Sequence, residues 1–169
     1  KSPVIHRRAV LRIVDESWLI LDALKSRDEH GCRLHWLLPD WPHEWDGDTA
    51  RMRLHTSVGD YYARFGTASG KGTCSVIRAD EHSPRGWRAP YYAYREPVLS
   101  VDLVLQAKSV LFWTLFHSQQ CDVIVRGRAI SVECGPWECA IVLQGDDRPV
   151  LIDSVSLAGA VSDRLDLVS

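Results

Sequence analysis

The residues of this chain that could do chemistry are its histidines, cysteines, serines and one cluster of arginines and aromatics. The seven histidines are His6, His30, His35, His43, His55, His82 and His117. No HxH pair occurs, and His30 and His35 would face opposite sides of a strand. His43-Glu44 lacks the second histidine of HExxH, so no metal site is expected. The five cysteines (Cys32, Cys74, Cys121, Cys134 and Cys139) make no CxxC, which argues against a structural zinc. Cys134 and Cys139 flank Gly135-Pro136-Trp137-Glu138. As a four-residue hairpin loop, that segment would bring the two sulfurs within disulfide range; a pair of reduced, half-buried thiols fits the sequence as well. Ser131 and Ser154 lie in strand-like runs and not in a G-x-S-x-G elbow. Gly70-Lys71-Gly72-Thr73 is half of a phosphate loop without its leading glycine or its helix, and reads as a hairpin.

The segment Ser83–Pro97 stands apart, with three Arg, three Tyr and one Trp in 15 residues. Its prolines oppose regular pairing, so a long loop is expected. Arg85, Arg88 and Arg95 would offer planar guanidinium forks to carboxylates, and Trp87, Tyr91 and Tyr92 would offer flat faces to sugar rings. The alternative is an Ω-like loop that packs its aromatics onto a sheet.

The elements that must carry these residues are strands. Alternating or β-rich runs occur at 9–15, 18–25, 31–38, 51–57, 61–66, 73–79, 100–108, 110–117, 122–125, 129–133, 138–144 and 150–155. In Arg51-Met52-Arg53-Leu54-His55 the apolar residues face one way and the charged ones the other, the period of a strand with one wet face. Turns are expected at Asp46-Gly47-Asp48, Ser69–Gly72, Ser83–Gly86, Arg126-Gly127-Arg128 and Gly145-Asp146-Asp147. No long amphipathic helix separates the runs. The expectation is all-β: a single antiparallel β-sandwich domain over residues 1–169, with about a dozen short strands and a tail from Leu157 that is either a last strand or a frayed end.

Composition narrows the function classes. With 20 basic and 22 acidic residues and a pI near 6.4, the chain lacks the basic excess of a general nucleic-acid or anionic-membrane binder. The longest uncharged apolar run, Val110–Phe116, falls far short of the ~20 residues of a membrane-spanning helix. Arg supplies 16 of the 20 basic residues, a bias that suits acidic ligands and is equally explained by GC-rich codons. The seven Trp can stack on sugars or fill a core. The chain starts at Lys1 rather than Met, and a longer parent protein is expected.

In order, these segments resemble the C-terminal β-sandwich of the heparinase II/III-like polysaccharide lyases. His6-Arg7-Arg8-Ala9-Val10 with Trp18-Leu19-Ile20-Leu21-Asp22 is similar to that family's "R-x-v … v-x-D" strand pair. His30 to Pro39 resembles the strand that follows, and Gly86-Trp87, Tyr91-Tyr92 and Pro97 resemble the family's "GW-S-x-x-Y-G … P" loop, with Ala93 where the family often has Gly. The resemblance spans about residues 6–143 and implies β-elimination on a uronate-containing polysaccharide, such as a glycosaminoglycan, by a protein that joins an N-terminal α-helical toroid to this sandwich. Such a reaction needs a group that neutralises the carboxylate and a Tyr or His that moves the C5 proton. In the family pattern the catalytic Tyr belongs to the toroid, and the catalytic His and metal-binding cluster precede the opening strand. No catalytic residue, metal ligand or cofactor is therefore assigned here, and the chain is expected to be inactive alone. The resemblance also implies a secreted or periplasmic protein. A non-catalytic carbohydrate-binding or structural interaction sandwich is the alternative.

Overall fold

The computed structural model describes residues 2–14, 16–68, 70–144 and 152–159, and the backbone of 166–168. Among these residues every regular element is a strand and none is a helix, so no helix is long and apolar enough to cross a membrane. Pairing is antiparallel throughout. The expected all-β, sandwich-like fold is what the chain forms. Asp15, Ser69, the turn expected at Gly145-Asp146-Asp147 and the start of the strand expected at Val150 lie outside the described residues.

The spine is a ribbon of two long strands, β2 (Trp18–Leu38) and β9 (Leu99–His117). Sequence periodicity divides each of them into two short strands; the structure joins them. A 21-residue strand laid flat would reach about 70 Å, at roughly 3.3 Å per residue. The ribbon instead turns over. Lys25 pairs with Ser109 and His30 with Ala107, so residues 26–29 bulge opposite Lys108 alone. An insertion of this kind bends a strand pair sharply. Its polar sequence, Ser26-Arg27-Asp28-Glu29, keeps the bend at the surface, and Ser26 Oγ lies 2.9 Å from His30 Nε2.

The two halves of the ribbon enclose one core. Leu34, Leu99, Val101 and Leu103 from one half meet Val110 and Phe112 from the other, with Met52, Leu54, Ala63 and Phe65 beside them. Trp36 crosses this gap: its indole Nε1 donates to Thr114 Oγ1 at 3.0 Å, and its ring meets Phe116 edge-on at 5.2 Å. β6 (Thr73–Arg78) pairs with the first half of β9. The other half is flanked by β1 (Ile5–Arg12) on one side, with Asp166–Val168 beyond it. On the other side lie β5 (Gly59–Thr67), β4 (Arg51–Thr56) and β3 (His43–Asp46).

A second sheet, β10 (Asp122–Arg126), β11 (Ala129–Cys134), β12 (Trp137–Leu143) and β13 (Ile152–Gly159), covers the opposite face. Its inward residues alternate: Ile130, Val132 and Cys134 on β11, then Trp137, Cys139, Ile141 and Leu143 on β12. They pack on Leu11, Leu19, Leu21, Trp113 and Leu115. Each such side chain stabilises the fold by about 2 kcal/mol when fully buried. Three layers result, because the ribbon contributes two.

The register corrects both readings of Cys134 and Cys139, which neither pair with each other nor are both reduced. The turn between β11 and β12 holds only Gly135 (φ 52°) and Pro136, so Cys134 faces Trp137 and Cys139 faces Val132. Cys134 is instead bonded to Cys121, 4.4 Å away between Cα atoms. Cys139 is a free thiol, pushed up to about 11 by burial, with the Glu138 charge adding to it. His43–Asp46 was not expected as a strand, since three of its four residues are charged or titratable and it has little apolar alternation. Peptide mapping of the oxidised protein is expected to yield a Cys121–Cys134 link with Cys32, Cys74 and Cys139 unmodified. Cys121→Ser should cost about 3 kcal/mol in urea unfolding, from the loop that the bond closes. A Cys134–Cys139 link would contradict this register.

Candidate functional site

The Arg- and Tyr-rich segment is a hairpin rather than a loop. β7 (Trp87–Tyr91) pairs with β8 (Tyr94–Pro97) and stands off the body as its own two-stranded sheet. At its base Gly86 has φ 76°, and a Cβ there would come within 2.4 Å of the Ala79 nitrogen, so only glycine fits. Trp87 Nε1 donates to the Asp80 carbonyl at 2.8 Å, and Arg95 lies over the Trp87 ring at 4.1 Å. Toward the tip Tyr91 and Tyr94 stack at 4.8 Å, and Tyr92 is 99% exposed. Ala93 takes φ 59° in the turn, the conformation a glycine would adopt without strain.

The six candidate ligand contacts fall into two groups. Arg85 points inward: its Nη2 lies 3.2 Å from Asp102 Oδ2 and 3.3 Å from the Ser100 carbonyl. Arg88 is ion-paired across the hairpin with Glu96, its Nε donating at 2.7 Å. Trp87 is half-buried, while Tyr91, Tyr92 and Arg95 are exposed on the hairpin. Arg95, its guanidinium over the Trp87 ring, lines an open hollow of about 730 Å³ with the three tyrosines.

Two buried carboxylates account for other arginines. Asp102, 6% exposed, meets Arg33 Nη2 at 2.9 Å as well as Arg85. His35 Nε2 lies 3.0 Å from Ser100 Oγ and 3.9 Å from Asp102 Oδ1. A nucleophilic triad requires the acid on the other ring nitrogen, and Ser100 is wholly buried, so this trio is structural. Desolvation lowers the His35 pKa from 6.5; Asp102 opposes the shift, and Arg33 and Arg85 add to it. Asp22, 3% exposed, takes a bidentate fork from Arg8 at 2.7 and 3.1 Å, with His6 Nε2 at 2.8 Å. Arg8 and Asp22 are partners in the β1–β2 register, which gives the "R-x-v … v-x-D" pattern a cross-strand meaning.

The residues that sequence reasoning passed over lie on the wet face of β3–β5. The second sheet stops short of these strands, leaving a cavity of about 400 Å³ whose lining includes Arg51, Arg53, Tyr62, Arg64 and Gln120. Arg51 and Arg64 are directly opposite in the β4–β5 ladder. Both reach the same oxygen of Asp122, with Arg64 Nη1 at 2.9 Å, and Arg64 also donates to the Cys121 carbonyl at 2.8 Å. Arg53 is held by Asp60, Nε donating at 2.9 Å, and His55 Nδ1 is 2.8 Å from the other Asp60 oxygen. The alternation of charged residues in 51–55 was the available signal; the partner strand and Asp122 were not visible locally. A buried group of His117, Cys121 and Cys134 has its donor atoms within 4.8 Å of one another, but its two sulfurs are bonded together and so are not thiolate ligands.

Fold and surface together define an all-β, sandwich-like module with guanidinium groups and aromatic rings at its surface. The chain is similar to the solved structure of a heparinase III, with a TM-score of 0.64 and 13% identity over 78% of this chain and 22% of that one. A heparinase III with methylated lysines gives 0.62 and 11% over 91% of this chain and 23% of that one. The likeness is one of fold, and this chain spans less than a quarter of the length of those structures. No family model and no curated protein matches the sequence.

Two outcomes follow from the hairpin and the His35 cluster. Ala93→Gly is expected to raise thermal stability by about 1 kcal/mol by relieving the positive φ; a loss would contradict the turn. Because folding favours neutral His35, the unfolded chain takes up its proton first as pH falls below 6.5, and folded stability declines there. In urea unfolding between about pH 7 and pH 5, His35→Gln should show a shallower decline than the parent chain. An identical decline would contradict the assignment.

Proposed function

We propose that the chain is the C-terminal β-sandwich of a heparinase II/III-like polysaccharide lyase. In this reading it forms one wall of a cleft for an acidic, uronate-containing polysaccharide. An N-terminal α-helical toroid of the same protein forms the other wall and, with the segment before Lys1, carries the catalytic groups. The observation that supports this most is the likeness of fold to heparinase III over 78% of the chain. The order of the sequence motifs supports it independently. The chemistry of the surface agrees: a uronate presents a carboxylate beside a ring with an apolar C–H face, and the hairpin presents Arg95 beside Tyr91, Tyr92 and Tyr94.

Within the hairpin the candidate contacts differ in what they can give. Arg95 has no carboxylate partner among the described residues, so a ligand carboxylate would complete its hydrogen bonding. Arg88 would have to share Glu96, and Arg85 would have to leave Asp102, so their roles are to hold the hairpin and its base. Substrate contact is accordingly assigned to Arg95, Tyr91 and Tyr92, with Trp87 as the platform beneath Arg95.

The chain alone is expected to release no unsaturated uronate from acidic polysaccharides, followed by absorbance, while binding acidic oligosaccharides in calorimetric titration. Arg95→Ala and Tyr92→Ala should each weaken that binding about three- to tenfold, the range of a partly exposed charged or stacking contact. Elimination by the chain alone would contradict the placement of the catalytic groups outside it. Binding of a neutral oligosaccharide, unaffected by Arg95→Ala, would favour a general carbohydrate-binding sandwich.

A further inference from the structure

We infer that the β3–β5 overhang holds a second, separate binding site, in which the paired guanidiniums of Arg51 and Arg64 receive the oxyanion of a carboxylated or sulfated ligand, with Asp122 as its internal stand-in. The argument starts from charge. Like charges placed directly opposite in an antiparallel ladder destabilise it, yet Arg51 faces Arg64 across β4–β5. One carboxylate oxygen, from Asp122, serves both. Asp46, the register partner of Arg51, acts on it only at longer range and is not in its ion pair. Its carboxylate is taken by Thr49 Oγ1 at 2.5 Å and the Asp48 amide at 3.0 Å, which close the β3–β4 turn. Glu44 leans toward Arg53 and His55, at 3.6 and 3.4 Å. Two cations therefore share one ion-paired carboxylate.

The Nε atoms of Arg51 and Arg64 are both buried and have no partner, which is costly, and they have almost no surface open to a ligand. A ligand oxyanion would meet the remaining guanidinium nitrogens, the ones that Asp122 engages, whose planar array matches a carboxylate or a sulfate. The two sides of the contact also differ in mobility. The Arg64 side chain is 14% exposed and fixed by the Cys121 carbonyl and by the Trp113 ring at 6.0 Å, whereas Asp122 is 61% exposed. The guanidiniums are the preorganised part and the carboxylate the displaceable one. Burial and the Arg51 charge disfavour the Arg64 cation, and Asp122 opposes them through its charge and hydrogen bond, the part a ligand anion would take over. The adjoining cavity of about 400 Å³ lies in the size range of small-ligand sites, and Tyr62 on the same face supplies a ring beside the guanidiniums.

The anion site stands on this geometry alone; that its natural ligand is an acidic sugar rests on the function proposed above. The test is calorimetric titration of the 169-residue chain with sodium sulfate, sodium glucuronate and glucose. Saturable binding of sulfate or glucuronate that Arg95→Ala leaves in place, with none of glucose, is expected, and the tighter anion tells a sulfate ester from a uronate. Arg64→Gln, checked for an unchanged melting temperature, should weaken anion binding at least tenfold. Asp122→Asn should strengthen it severalfold, an effect that damage to the fold would not produce. Absence of binding by both anions, equal binding of glucose, or weaker binding in Asp122→Asn would overturn the site. Anion binding with no binding of acidic oligosaccharides would keep the site and overturn the polysaccharide reading.

Discussion

The turning over of the β2–β9 ribbon is the constraint on which the other features depend. One bulge, at residues 26–29 against Lys108, lets a single pair of strands supply two layers that face each other across Phe112, Val110 and Leu103. The hydrogen bond from Trp36 to Thr114 ties the layers together where their backbones are not paired. Because the half of the ribbon formed by residues 18–25 and 109–117 also carries β1 and β5 at its sides, its sheet grows wider than the four-stranded sheet that covers it. The uncovered margin is the overhang of β3–β5. The outer half, bearing β6, presents Asp102 and Ser100 to the Arg85 segment from which the aromatic hairpin rises. Both candidate surfaces therefore follow from how the ribbon folds.

The arginines divide along the same lines. Burying Asp22 and Asp102 in an apolar sandwich is tolerable only with a charged partner in hydrogen-bonding geometry. Arg8 meets that demand for Asp22, while Arg33 and Arg85 ion-pair with Asp102 at 2.9 and 3.2 Å, its Oδ1 being left without a hydrogen bond. Arg53, Arg78 and Arg88 are engaged by Asp60, Asp40 and Glu96 at the surface. Arg95 rests on an aromatic ring, and Arg51 and Arg64 share a carboxylate that cannot neutralise both. These nine arginines thus divide into those paired one to one with, or clustered on, a carboxylate inside or on the fold, and three, Arg51, Arg64 and Arg95, that share a carboxylate or rest on a ring.

What the sequence made legible was local. The alternation in Arg51-Met52-Arg53-Leu54-His55 appears in the structure as a core face of Met52 and Leu54 and a polar face of Arg51, Arg53 and His55. The spacing of Arg8 and Asp22 appears as a register pair. What it hid was non-local. The bend of the ribbon lies in a polar stretch that reads as a loop between two strands, although pairing continues on either side of it. The partner of Cys134 depended on whether the turn held two residues or four, and a two-residue turn with Gly135 at positive φ moves Cys139 out of register. Nothing near Arg85 in sequence reveals the buried Asp102 that its guanidinium meets in the fold. The Arg51–Arg64 pair, 13 residues apart in sequence, becomes a site only through the ladder and through Asp122 on another sheet.

The central claim is that guanidiniums already satisfied by buried carboxylates hold the fold, while those left short of a partner receive an acidic saccharide. It is tested most directly by following the arginine Nε–H resonances by NMR during titration with an acidic oligosaccharide and then with a neutral one. The account predicts that the Arg51, Arg64 and Arg95 signals shift with the acidic ligand alone, while those of Arg8 and Arg85 stay in place. Shifts of equal size with the neutral ligand, or movement of Arg8 and Arg85 in place of the other three, would contradict it.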